Sequence, residues 1–322
     1  MKKVMLILLS VFIILAPSCD FFTPSDDDGK IYLLAFGLEY NEKLNKLENT
    51  VLDMRGVTSA FEALAKNYGK DYEIVAYTDD DVGLGSTFSI ERITTGGIDR
   101  EVFSPMDVEN VDDELLAALD ASFSTTPMEG DIFILYYAGH GEDGTGAPVI
   151  YYEENDGKMN YKTLPLRKLI DYVQNHNSNT LMIMDSCYSG MAVEEDEIGD
   201  LLDPITAFGN LFSEITGKEN AKFKDFVITA AHYNQLSYDS DPYIGKDGSD
   251  RHGAFTYQVL KYLGYDFESE SGVYGNNNRT ITVSGMYESA LDGISSQMKL
   301  LMMPDARKTR YDLVLFSPNF KN

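Results

Sequence analysis

The sequence predicts an α/β domain, with a mainly parallel central sheet and helices on both faces. Three observations carry that prediction. The apolar runs at 30–40 (KIYLLAFGLEY), 131–141 (DIFILYYAGHG) and 180–184 (TLMIM) lack strict apolar–polar alternation, as strands buried on both faces do. Segments with apolar residues at helical spacing lie between them. From residue 30 onward there is no internal repeat, no Pro/Ser-rich linker and no low-complexity block, so 30–322 reads as one domain.

The elements follow in order. Residues 30–40 form a first buried strand. Residues 52–69 (LDMRGVTSAFEALAKNYG) form a helix closed by Gly69, the residue best able to take the left-handed C-cap position. Residues 72–78 form a second strand. Residues 86–104 alternate around a Gly-Gly pair and read as a hairpin beside the main sheet. Residues 111–123 form a helix with acids in its first turn, where the helix dipole favours them. The strand at 131–141 is followed by a short one at 147–155 and a proline-initiated helix at 164–176. Strands at 180–184 and 223–233, a helix at 254–265, a strand or turn running into a helix at 281–301, and a strand at 311–316 complete the chain. Met298, Met302 and Met303 read as core.

The N-terminus is a targeting segment rather than fold. Lys2 and Lys3 precede the apolar run 4–15, which is too short to span a membrane and suits a secretory signal. It ends in LAPSC, which resembles a bacterial lipobox. That resemblance implies cleavage before Cys19 and diacylation of its thiol, so residues 1–19 are the signal and anchor and 20–29 a polar tether. The expected location is the outside of a bacterial membrane, on the periplasmic face or the cell surface. The net charge is −26, and loss of Lys2 and Lys3 makes it two units more negative. Such a surface argues against nucleic acid as a partner. Oligomeric state is not readable from the sequence.

The chain has two cysteines, Cys19 and Cys187. With Cys19 lipidated, Cys187 is a lone thiol in an exported protein, which points to use. It stands just past the strand 180–184, and His140 stands at the carboxyl end of the strand 131–141. In a parallel sheet both strand ends lie on one rim, where ligands bind at topological switch points. Imidazole is the side chain suited to take a thiol's proton near neutral pH. Gly139 and Gly141 let the chain turn off the strand, and the Gly141 and Cys187 N–H groups are candidate oxyanion donors.

YYAGHG followed by DSCYSG resembles the caspase-like peptidases, closest to their metacaspase branch. The family's histidine precedes its cysteine by about 50 residues, and GAFTYQVLKYL resembles its helix after the fifth strand. The resemblance implies a caspase–hemoglobinase fold, a three-layer sandwich, and cysteine endopeptidase activity on protein or peptide substrates. It makes Cys187 the nucleophile and His140 the general base. It makes Asp185 an S1 acid selecting Arg or Lys, and puts Gln235 near a second S1 segment. A carboxylate there needs a cationic partner, which a basic P1 side chain supplies. The chain departs from the metacaspase pattern at Ala138, at Thr58-Ser59-Ala60 and at Tyr233-Asn234, which leaves a single acid expected in S1. No cofactor is expected. Some metacaspases require calcium, for which the loop acids Asp239, Asp241, Asp247 and Asp250 are weak candidates, since their spacing fails the EF-hand pattern. Related enzymes are cleaved after the cysteine during activation, and Lys218, Lys222 and Lys224 lie in the matching insert at 194–222 and just beyond it.

Two competing readings remain. An α/β-hydrolase with His252 as base lacks the G-x-Nu-x-G elbow, because Asp185 and Ser189 occupy the glycine places. A catalytically silent caspase-fold binding module of the cell envelope is the other. The remaining histidines, His232 and His252, read as structural or exposed, and His176 as a charge-favoured helix end.

Overall fold

The computed structural model describes residues 29–40, 42–79, 87–104, 108–156, 158–193, 225–239, 251–274, 279–307 and 312–318. Its strands are β1 (Ile31–Gly37), β2 (Tyr72–Thr78), β3 (Phe88–Thr94), β4 (Gly97–Phe103), β5 (Ile132–Ala138), β6 (Val149–Asn155), β7 (Lys158–Thr163), β8 (Asn179–Asp185), β9 (Asp225–Thr229), β10 (Ile281–Thr282), β11 (Asp305–Arg307) and β12 (Val314–Phe316). The helices are α1 (Thr50–Tyr68), α2 (Val111–Ser122), α3 (Leu166–Gln174), α4 (Ala254–Leu263) and α5 (Val283–Gly293).

Eight strands form one sheet in the order β11-β9-β8-β5-β1-β2-β3-β4. The pairs β1–β2, β1–β5, β5–β8 and β8–β9 are parallel. The hairpin β3–β4 extends one edge antiparallel to β2, and β11 caps the other edge antiparallel to β9. The chain goes from β1 outward to β2, then returns to place β5 on the other side of β1. The topology therefore switches between β1 and β5, where a crevice opens above the carboxyl ends.

Alternate residues of the central strands enter two cores. Ile31, Leu33, Ala35, Ile134 and Tyr136 face α1, α4 and α5. Tyr32, Leu34, Phe36, Phe133 and Leu135 face α2, α3 and β6. Fully burying a side chain such as Phe133 contributes about 1.5–3 kcal/mol, and burial on both faces explains why these runs do not alternate.

Local signals hold where chemistry dictates them. Gly69 takes the left-handed C-cap of α1 (φ 67°) and donates to the carbonyls of Ala65 and Lys66. Pro165 is the N-cap of α3.

Two strands find their sheets only in the structure, and two expectations about side chains need correction. The strand at 147–155 belongs to a separate two-stranded sheet with β7, which the polar sequence KMNYKT did not announce. The terminal strand pairs with β10 outside the main sheet. Met298 and Met302 are core, but Met303 is 40% exposed. His176 is buried and stacked on Phe133 at 4.2 Å. Burial lowers its pKa from the usual value, so it is a neutral packing residue rather than a charged helix end.

Candidate active site

β5 and β8 are adjacent and parallel, with Ala138 opposite Asp185 at their last residues. Each chain then runs two residues further, to His140 and to Cys187. The two segments stay together beyond the strands. Gly139 N–H donates to the carbonyl of Asp185 at 3.3 Å, and Gly141 lies against the carbonyl oxygen of Cys187 so closely that no Cβ fits there. Glycine at 141 is therefore required by the approach of the cysteine segment.

The imidazole is held from β1's side. His140 Nε2 lies 2.7 Å from the carbonyl oxygen of Leu44 and 2.9 Å from that of Asn45. A carbonyl only accepts, so Nε2 carries the hydrogen and the neutral ring keeps its lone pair on Nδ1. In that tautomer Nδ1 is the nitrogen able to accept a proton.

Cys187 is partly buried, and its sulfur lies 4.0 Å from the carbonyl of Ser237. Burial pushes the thiol pKa up; the Ser237 contact lowers it by less, and the charges of Asp185 and then Asp239 add smaller upward pushes. A thiol pKa held above its usual value keeps the sulfur protonated near neutral pH unless a neighbouring base takes the proton.

Below the rim are two buried acids, Asp185 and Asp53. Asp185 accepts from Ser237 Oγ at 2.5 Å and from Thr256 Oγ1 at 2.6 Å. Burial, and next the charge of Asp53, raise its pKa to about 7. Asp53, in the first turn of α1, is only 2% exposed. It accepts from Gly253 N–H at 3.0 and 3.1 Å and sits 2.8 Å from His252 Nδ1. A Cβ at Gly253 would lie 2.8 Å from an oxygen of each of the two acids, so the carboxylates share one small space.

Asp53 is thus a second buried acid beside Asp185, which the sequence alone did not place there. Thr58-Ser59-Ala60 lies further along α1, where the Thr58 hydroxyl caps the Arg55 carbonyl. Asp53, half a dozen residues earlier, reaches Asp185. Its sequence signal was weak: an acid in a helix's first turn is ordinarily a dipole partner.

Gln235 is in the adjoining loop, but its side-chain oxygen accepts from the N–H groups of Met303 (2.8 Å) and His232 (3.3 Å). Its neighbour Ser237 is the residue that touches Asp185. Asp239 is within electrostatic reach of His140 and Cys187, and burial raises its own pKa. His232 lies 3.6 Å from Asp305. His252 is buried against Asp53 rather than exposed. Cys19, Lys218, Lys222, Lys224, Asp241, Asp247 and Asp250 lie outside the described residues. Among the described residues, no group of three His, Cys, Asp or Glu side chains is arranged to hold a metal ion.

Residues 32–283 match the family model described as the caspase domain, Peptidase_C14. No curated protein sequence matches the chain. Among solved structures, the chain is similar to caspase-1 from Spodoptera frugiperda at 9% identity and a TM-score of 0.47, with 91% of this chain and 94% of that chain covered. It is similar to a secreted C11 cysteine protease from Bacteroides thetaiotaomicron, solved with an irreversible peptide inhibitor. There the identity is 10% and the TM-score 0.38, with 83% of this chain and 58% of that chain covered.

Proposed function

The chain belongs to the caspase-domain family and is a caspase-like cysteine endopeptidase; from that premise we propose that Cys187 and His140 form its dyad and that it cleaves after Arg or Lys. In this reading Cys187 Sγ attacks the scissile carbonyl while His140 Nδ1 takes its proton. The imidazolium, whose Nε2–H stays on the Leu44 and Asn45 carbonyls, then protonates the leaving amine. Water hydrolyses the thioester by the same groups. The N–H groups of Gly141 and Cys187 face the developing oxyanion.

The observation that carries the reading is the shared rim, where the glycine beside His140 packs on the backbone of Cys187 with the Asp185–Asp53 pair beneath it. A dry pocket holding two acids favours a guanidinium or ammonium over a neutral P1 group. Asp185 and Asp53 supply that charge, while Gln235 braces the loop that carries Ser237. We further propose that a lipid on Cys19 tethers the enzyme to the outside of a bacterial membrane. Autoprocessing after Lys218, Lys222 or Lys224, and a calcium requirement met near Asp239, belong to the same proposal.

The test is a fluorogenic peptide panel with Arg, Lys, Asp or Asn at P1, run on wild type and Cys187→Ala. Cleavage of the Arg and Lys peptides by wild type alone is expected. Equal rates in the two proteins would overturn the dyad and favour the silent binding module.

A further inference from the structure

We infer that Tyr40, together with Tyr137, is a positioning residue that holds His140 in its working orientation; this rests on His140 being the base of the reaction proposed above. Tyr40 lies in the loop after β1, at the topological switch point, and Tyr137 is in β5 itself. Their hydroxyls meet 2.9 Å apart behind His140. His140 N–H donates to the Tyr40 hydroxyl at 3.1 Å, and the Tyr137 hydroxyl donates to the His140 carbonyl at 2.7 Å. The Tyr40 hydroxyl in turn donates to the Val149 carbonyl at 2.7 Å. Both backbone polar groups of one residue are thus tied to two side-chain hydroxyls.

The ring is held by the same loop. The Tyr40 ring lies against the imidazole with centroids 4.6 Å apart and planes inclined by 35°. Leu44 and Asn45, a few residues on, supply the carbonyls at Nε2. With the backbone held at both groups and the far nitrogen held by carbonyls, the imidazole has little rotational freedom left.

The loop is itself fixed. Asp79, at the end of β2, accepts from Glu39 N–H at 2.8 Å and from Tyr40 N–H at 2.9 Å, and Leu38 N–H donates to the Ala138 carbonyl at 3.1 Å. Tyr40 adopts φ 64°, a left-handed conformation that a residue with a Cβ takes where its surroundings hold it there. Burial raises the pKa of both phenols, so their hydroxyl hydrogens are retained. The hydroxyl pair also explains Gly139: a Cβ there would lie 2.6 Å from the Tyr137 oxygen and 2.7 Å from that of Tyr40.

The experiment compares wild type with Tyr40→Phe, Tyr137→Phe, His140→Ala and the structural control Tyr77→Phe, in the full chain. Tyr77's hydroxyl is also buried, but its partner is Ser122 in α2. Three quantities are read: kcat and KM on an Arg-P1 peptide, the pH profile of Cys187 alkylation by iodoacetamide, and Tm. General-base catalysis is worth about 100- to 10,000-fold, and a small misplacement forfeits up to about 100-fold. Tyr40→Phe is therefore expected to lower kcat roughly 10- to 100-fold with KM within about twofold, and to shift the alkylation profile. Tyr137→Phe changes both in the same direction. Tyr77→Phe lowers Tm and leaves both where they were. Should Tyr40→Phe fold poorly, Tyr137→Phe and the His140 ring-proton titration by NMR decide. Wild-type kcat and an unmoved profile in the Phe variants, with His140→Ala inactive, would overturn the positioning role alone. Activity retained in His140→Ala would overturn the dyad on which it rests.

Discussion

The proposed role of Asp185 in binding a basic P1 side chain would make selectivity titratable in the neutral range. The carboxyl is enclosed, and burial and the nearby Asp53 raise its pKa from 3.8 to about 7. With that midpoint it is about nine-tenths ionised at pH 8 and about one-tenth at pH 6. A basic P1 side chain binds the ionised form, so kcat/KM for an Arg-P1 peptide should fall about tenfold over that interval. Dividing by the rate of Cys187 alkylation removes the titration of the dyad itself. In Asp185→Asn the ratio should be low and flat. Stability supplies a second reading of the same group. Its folded pKa lies above the unfolded one, so the carboxylate's cost is absent below pH ~4, grows as pH rises through the interval, and is complete above pH ~7. A shift of about three units corresponds to ~4 kcal/mol at the alkaline end. Asp185→Asn loses one good acceptor, for Ser237 or Thr256, at ~1 kcal/mol. The variant should therefore be less stable than wild type near pH 4 and more stable near pH 8, by urea denaturation at each pH. An Arg-P1 ratio independent of pH in wild type, or a stability difference that does not change sign, would refute the reasoning.

Asp53→Asn should lower kcat/KM for Arg and Lys peptides by a factor of roughly ten through loss of one pocket charge. Measured at pH 8, where Asp185 is largely ionised in both proteins, it should leave iodoacetamide alkylation of Cys187 nearly unchanged, since Asp53 touches His252 and Gly253 rather than the sulfur. Gly253→Ala should cost about 1–3 kcal/mol by overpacking and weaken basic-P1 cleavage, because its Cβ would fall 2.8 Å from both carboxylates; differential scanning calorimetry with the peptide assay checks both. Intact-mass analysis of an active preparation should show fragments ending at Lys218, Lys222 or Lys224, and a single unprocessed chain at full activity would exclude cleavage there. Activity in a calcium titration after EDTA treatment decides the metal requirement, with no response ending that proposal.

The α/β class was legible because burial on both sheet faces leaves an unmistakable trace, the non-alternating runs at β1, β5 and β8. His140 and Cys187 stood out as candidates because each follows such a run, His140 between two glycines, and because the chain has only two cysteines. Three parts were not. Asp53 looked like an ordinary acid at the start of a helix, and only the packing of α1 against α4, whose first turn follows Gly253, brings it to Asp185. The carbonyls of Leu44 and Asn45 carry no side-chain signal at all, since every residue has one. The tyrosines at 40 and 137 read as core. The sequence by itself determined which groups are able to react and which strands present them, because residue chemistry and strand periodicity are local properties. Only the tertiary structure decided the imidazole's tautomer, the protonation of the thiol and the pairing of the two acids, because those depend on which distant backbone and side-chain groups share a space closed to water.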